Sequence, residues 1–105
     1  MSGFYVRVKI MKEMKNVTRF TIRITGHVQG VGFRYHVQDV AMKYLIKGQV
    51  KNNADGSLEI DAEGTRTNLL SFIEEVKRGP EFARIDKCET KVEIELQHYS
   101  TFTVE

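Results

Sequence analysis

The stretch GHVQGVGFR at 26–34 places Gly26, Gly30 and Gly32 directly ahead of Phe33 and Arg34. Glycine weakens the interior of a helix or strand, so such a cluster marks backbone that must bend or let something come close. Where a segment of this kind joins a strand to a helix, it leaves main-chain N–H groups unpaired at the positive end of the helix dipole. That is a seat for a compact oxyanion such as phosphate. Arg34, at the mouth of the helix, adds a planar fork of donors that can take two phosphate oxygens at once. The same residues are also compatible with a plain turn that lets a helix pack on a sheet, with Arg34 in solvent.

Several other chemistries lack their residues. The spacing G-x-x-x-x-G-K-[ST] is missing, and the glycines do not match G-x-G-x-x-G, so neither nucleotide-binding loop is supported. No arginine follows Cys88 six residues later, which removes a cysteine-phosphatase loop, and Cys88 reads as a small hydrophobe on a strand. His27, His36 and His98 are dispersed, without H-x-x-x-H spacing or partner cysteines; they read as surface histidines, and no metal or other cofactor is expected.

The elements that must position the glycines follow from periodicity. Between Thr18 and Thr25, Phe20, Ile22 and Ile24 alternate with Thr21 and Arg23, the period of a half-buried strand. After the glycines, Phe33, Val37, Val40, Ala41, Tyr44 and Leu45 fall on one stripe of a helix, with Gly48 beyond its end. Val50 and then Leu58, Ile60 and Ala62 flank Asp55-Gly56, a hairpin signal. The strand leading into that hairpin can lie beside the first strand of such a domain and face its loop. Leu69, Phe72, Ile73 and Val76 share a second helical face, with Thr67 as N-cap and Gly79-Pro80 as stop. Apolar residues return at Ile85, Cys88, Val92, Ile94 and Leu96, and Phe102 and Val104 suggest a short closing strand.

The order βαββαβ predicts an α+β domain: a ferredoxin-like split β-α-β sandwich, an antiparallel sheet with two helices on one face. Residues 17–105 form this domain. Residues 1–16 are an N-terminal extension in which Phe4, Val6, Val8 and Ile10 alternate with polar positions, so it is either an extra edge strand or a flexible tail.

A chain of 105 residues that is 41% apolar with one proline suits a single compact domain. The lone cysteine and the lack of an apolar leader point to the cytoplasm. No run is long enough for a membrane span. Sixteen basic against fourteen acidic residues give a net charge of only +2, so nucleic acid is not suggested as a partner.

The segment Ile24-Thr-Gly-His-Val-Gln-Gly-Val-Gly-Phe-Arg34 resembles the first signature of the acylphosphatases, V-x-G-x-V-Q-G-V-x-F-R, with isoleucine for the first valine. Gly48-Gln-Val-Lys-Asn52, Asp55-Gly56 and Glu59 are similar to the second signature. Gly79-Pro80, Ala83-Arg84-Ile85 and Phe102-Thr-Val104 fit as well. The resemblance covers about 17 to 104. Gln49 stands where the family commonly has an aromatic residue and Leu58 where valine is usual, and residues 1–16 have no counterpart.

This resemblance implies hydrolysis of the carboxyl–phosphate bond of small-molecule acyl phosphates to a carboxylate and inorganic phosphate. It implies Arg34 and main-chain amides from Val28, Gln29, Gly30, Val31, Gly32 and Phe33 as the phosphate cradle. It also implies Asn52 as the residue that orients the attacking water, although the residues alone also allow Asn52 and Asn53 to be turn formers. A monomer is expected, with pairing through residues 4–10 as the alternative. The rival readings are an RNA-binding module on the same sandwich, a carbamoyl-phosphate domain like that of hydrogenase-maturation carbamoyltransferases, and a non-catalytic anion-binding regulator. An RNA-binding module of this shape needs stacking aromatics on a central strand.

Overall fold

The computed structural model describes Gly3 and residues 17–105. The strand or tail expected over 1–16, and the pairing expected through 4–10, lie outside the described residues. In chain order the elements are β1 (Val17–His27), α1 (Phe33–Lys43), β2 (Lys47–Asn52), β3 (Leu58–Thr65), α2 (Arg66–Arg78), β4 (Arg84–Glu93) and β5 (Phe102–Val104). They build one five-stranded sheet in the order β4-β1-β3-β2-β5. The pairs β1–β3, β1–β4 and β2–β3 are antiparallel, and β5 joins β2 in parallel. This is the expected split sandwich with the short closing strand at its edge.

Alternation in the strands decides which face is buried. Phe20, Ile22 and Ile24 of β1 pair with Ala62, Ile60 and Leu58 of β3, and all six are at most 3% exposed. They form one core with Phe33, Val37, Val40 and Ala41 of α1 and Leu69, Phe72, Ile73 and Val76 of α2. Truncating any of the larger of these to alanine removes about 2–5 kcal/mol, the lost burial plus the cavity that the surroundings close only in part. The opposite face of β1 and β3 carries Arg19, Thr21, Arg23, Glu59 and Asp61, none of them aromatic.

Three boundaries differ from expectation. Helix α1 stops at Lys43 rather than running through Leu45. Leu45 takes a left-handed φ of 57° and is 77% exposed, while Ile46 turns into the core. The N–H of Ile46 reaches back to the Ala41 carbonyl at 2.8 Å and that of Leu45 to Met42 at 3.4 Å, the Schellman termination in which the left-handed position usually belongs to glycine. The N-cap of α2 is Thr65, not Thr67: its Oγ1 accepts from the Asn68 N–H at 3.2 Å. Strand β4 ends at Glu93, which leaves Ile94 98% exposed beyond it.

Candidate active site

The glycine segment folds as a loop pinned from below and open above. Val28 and Phe33 are each 1% exposed and anchor its ends, and Val31 packs partly on the core between them. Gly30 and Gly32 take φ of 74° and 76°, which side chains with a Cβ rarely adopt. A Cβ built on either would meet nothing within 4 Å. Both glycines are therefore required for backbone direction, and the space over them is free. At Gly26 the reason is different: a Cβ would lie 2.1 Å from the Arg84 carbonyl oxygen, at the bulge where β4 closes on β1.

Gly32 is also the N-cap of α1, with no side chain capping the helix and no acidic residue in its first turn. The first helical hydrogen bond runs from His36 N–H to the Gly32 carbonyl at 3.1 Å. Main-chain N–H groups of residues 29–34 have no acceptor among the described residues. Unpaired donors at an uncapped helix start favour an anion, since the helix dipole places positive potential there.

Arg34 lies half-buried beside this loop. Its Nη1 donates to the Glu105 main-chain oxygen at 2.7 Å, and the Glu105 N–H donates to the Val50 carbonyl at 2.8 Å. No carboxylate side chain among the described residues pairs with the guanidinium. Strand β5, held by Phe102 edge-to-face on Phe72 at 6.3 Å, thus steadies the arginine from the side of β2.

Asn52 is the last residue of β2, exposed, with its side chain unbonded to any described residue. Strand β2 does not take the place beside β1 that was open to it, because β3 intervenes. The glycine loop nonetheless meets the end of β2 through Gln29. Its Nε2 donates to the carbonyls of Asn53 at 2.8 Å and Ser57 at 3.1 Å, the two ends of the β2–β3 turn. That turn is itself rigid. Asn53 N–H donates to the Ser57 carbonyl at 2.8 Å, Asn53 Nδ2 to Ser57 Oγ at 3.0 Å, and Gly56 N–H to the Asn53 carbonyl at 3.1 Å. Ser57 in turn donates to Asp55 from its N–H at 2.9 Å and its hydroxyl at 2.6 Å. These bonds, with Arg23 alongside, hold the Asp55 carboxyl down at about 2.

The structure therefore gathers the loop 28–33, Arg34 and Asn52 at one end of the sheet, using two contacts that sequence reasoning missed: the Gln29 side chain and the main-chain oxygen of Glu105. Neither has a local signal, since each joins residues far apart in the chain. His36 also departs from expectation. It is half-buried, its ring stands edge-on to Phe33 at 5.8 Å, and its Nε2 is enclosed without a hydrogen-bond partner among the described residues. His27 and His98 are exposed as expected. Cys88 is half-buried against the core, and burial pushes its thiol up.

A cavity of about 590 Å³ opens at the opposite end of the sheet, lined in part by Val17, Leu45, Glu63, Leu96 and Tyr99. Its one carboxylate is already engaged: that of Glu63 accepts from the N–H groups of Gln97 and, at 3.0 Å, Tyr99. A single tetrahedral anion needs converging donors more than volume. Among the described residues no helix is long and apolar enough to cross a membrane, and no cluster of three or more His, Cys, Asp or Glu could hold a metal ion.

Comparison with known proteins places the chain among close relatives. The family model described as Acylphosphatase matches residues 20–104. An acylphosphatase of Clostridium acetobutylicum is 41% identical over 73 residues, 70% of this chain and 80% of that protein. The crystal structure of acylphosphatase from Bacillus subtilis is similar with a TM-score of 0.82 and 40% identity, over 84% of this chain and 98% of that one. A full-length HypF, solved with phosphate and nucleotide bound, is similar over 85% of this chain but only 12% of its own length, with a TM-score of 0.79 and 38% identity.

Proposed function

Since the chain belongs to the acylphosphatase family, we propose that it hydrolyses acyl phosphates to a carboxylate and inorganic phosphate at the loop 28–34. The observation that carries this reading is the row of unpaired main-chain N–H groups at 29–34, beside a guanidinium that no side-chain carboxylate pairs with among the described residues.

The phosphoryl group docks on the N–H groups from Val28 to Phe33, with Arg34 taking two further oxygens. Its negative charge is met by fixed donors that need not reorganise as the reaction proceeds. Asn52 holds a water behind the phosphorus, in line with the bond to be broken. Its amide is no base, so it contributes orientation alone. Oxygen of the water bonds to phosphorus, the phosphorus–acyl oxygen bond breaks, and the bonding pair leaves with the carboxylate. The water proton passes to a phosphate oxygen. A carboxylate is the conjugate base of an acid with a pKa of about 4, so no general acid is required to help it leave. Positioning and charge neutralisation are then most of what the protein must supply.

The reading extends to the chain as a whole. Residues 17–105 are the catalytic domain and residues 1–16 an extension outside it, and a single cysteine supports work in the reducing cytoplasm. The cradle grips only the phosphoryl end, so the acyl part is free to vary, and carbamoyl phosphate is bound by the same donors.

The test is hydrolysis of benzoyl phosphate followed by absorbance, with inorganic phosphate as competitor and with EDTA present. Turnover that phosphate inhibits and EDTA leaves unchanged is the expected result. Phosphate binding without turnover of either benzoyl or carbamoyl phosphate would make the protein an anion-binding regulator instead.

A further inference from the structure

Strand β4, Arg84–Glu93, is the outermost strand on its side of the sheet, and no described strand pairs with its outer edge. At ten residues it is long for an edge, and it contains no proline. The bulge beside it falls near Thr25 and Gly26, at one extremity, and leaves the rest regular. Edge strands are normally shortened, bent, interrupted or charged, because their free N–H and C=O groups template pairing with another chain, and of these devices β4 has chiefly the charges, in alternating sign.

The charges on β4 specify what that chain is. Cys88, Thr90 and Val92 lie opposite Ile24, Ile22 and Phe20, so they face the helices, and Lys87, Glu89, Lys91 and Glu93 share the other face. We propose that β4 pairs antiparallel with β4 of a second copy, centred on Thr90, so that the two sheets become one. In that register Lys87 stands opposite Glu93 of the other copy and Glu89 opposite Lys91, and the two-fold axis repeats both pairs. Moving the centre to residue 89 sets Glu89 on itself and Lys87 on Lys91. Moving it to residue 91 sets Lys91 on itself and Glu89 on Glu93. Like charges directly opposite are unfavourable, so the pattern selects one register against its neighbours.

Within one copy Glu93 accepts from the Thr21 hydroxyl at 3.0 Å, and the ion pairs among the four charges are long. Lys87–Glu89 is 3.7 Å and Lys91–Glu93 3.8 Å, with the lysines 67% and 77% exposed. Pairs of that kind contribute little and are easily exchanged. On the helix side the same register covers Val92, now 55% exposed, with Cys88 of the second copy. A strand pair of this size makes a small interface, so the dimer is weak and reversible. It adds to the monomer expected from sequence rather than replacing it, and it leaves the loop 28–34 untouched.

Sedimentation of the full chain over a concentration series at low salt tests this. Wild type is expected to associate, and salt to weaken the association. Glu89→Lys and Lys91→Glu each set like charges opposite twice, and each is expected to weaken association at least about tenfold. The double variant Glu89→Lys/Lys91→Glu restores opposite charges in the same register and is expected to associate as wild type does. Circular dichroism establishes that all three are folded. A wild type that stays monomeric throughout, including by covering β4 with its own residues 4–10, overturns the proposal. So does association that is equal in all variants, or lost in the double variant.

Discussion

Gln29 Nε2 donates to the main-chain carbonyl of Asn53 at 2.8 Å, across 24 residues of sequence. One side chain of the glycine loop thereby fixes the residue next to Asn52. If the cradle and the water-orienting amide must be in register, this bond sets their spacing, and misplacement by an ångström can cost about 100-fold in rate. Gln29→Leu is expected to lower kcat about 10- to 100-fold while phosphate still inhibits at nearly its wild-type concentration, since the loop amides remain. A lowered melting temperature with unchanged kcat would reduce Gln29 to a purely structural tie.

Arg34→Lys keeps the charge and loses the fork. A lysine ammonium is a point charge that cannot take two phosphate oxygens in a plane, nor keep the 2.7 Å bond to Glu105 at the same time. The expected outcome is a kcat lower by about 100-fold and markedly weaker inhibition by phosphate. Inhibition at the wild-type concentration would remove Arg34 from the cradle.

Asn52 and Asn53 are neighbours with opposite expectations. Asn52 is exposed and makes no hydrogen bond to the described residues, so Asn52→Ala should leave stability alone and lower kcat by about 100-fold or more. Asn53 ties the turn through Ser57 Oγ at 3.0 Å, so Asn53→Ala should destabilise by about 1 kcal/mol. Thermal melts and turnover on the two variants check this, and wild-type turnover in Asn52→Ala would take Asn52 out of the mechanism.

Local chemistry made β1, the glycine loop, the Asp55-Gly56 turn and both core faces readable. Alternation at Phe20, Ile22 and Ile24 and positive φ at Gly30, Gly32 and Gly56 depend on few residues at a time. What escaped depended on more. Thr65 and Thr67 carry the same hydroxyl two residues apart, and only the extended backbone of Thr65, with ψ of 149°, makes it the cap. Strand order is set by packing, so nothing near Asn52 announced that β3 separates it from β1. The roles of Gln29 and Glu105 exist only once distant segments meet. Leu45 continued the apolar spacing of α1, and spacing cannot show that its backbone is left-handed.

That last mismatch has a measurable cost. A left-handed residue with a Cβ is strained by about 1–2 kcal/mol, and glycine relieves this at an entropic cost of about 0.5–1 kcal/mol in the unfolded chain. Leu45 is 77% exposed and has little packing to lose. Leu45→Gly is therefore expected to stabilise the fold by about 0.5–1 kcal/mol in denaturant melts. A destabilised variant would mean that the leucine side chain contributes more at the rim of the far cavity than its exposure indicates.

The turn beside Asn52 also sets an acid limit on stability. The Ser57 hydroxyl and N–H, and then the Arg23 guanidinium, hold the Asp55 carboxyl at about 2, against 3.8 for the group in its ordinary state. A carboxyl lowered in the folded chain stabilises it at pH values above the ordinary one, and the contribution disappears as pH falls from about 4 toward about 2. Glu75, with Lys43 at 2.7 Å, and Asp86, with Arg84 at 3.0 Å, are lowered in the same sense and give every form of the protein some acid slope. The informative quantity is therefore the difference between wild type and Asp55→Asn. The melting temperature of the variant should lie below that of wild type near neutrality, and the gap should narrow through this window. If the two curves stay parallel across it, the Asp55 carboxylate is not what ties the turn, and the hold of Ser57 and Asn53 on the end of β2 rests on their main-chain bond and on Asn53 Nδ2 to Ser57 Oγ.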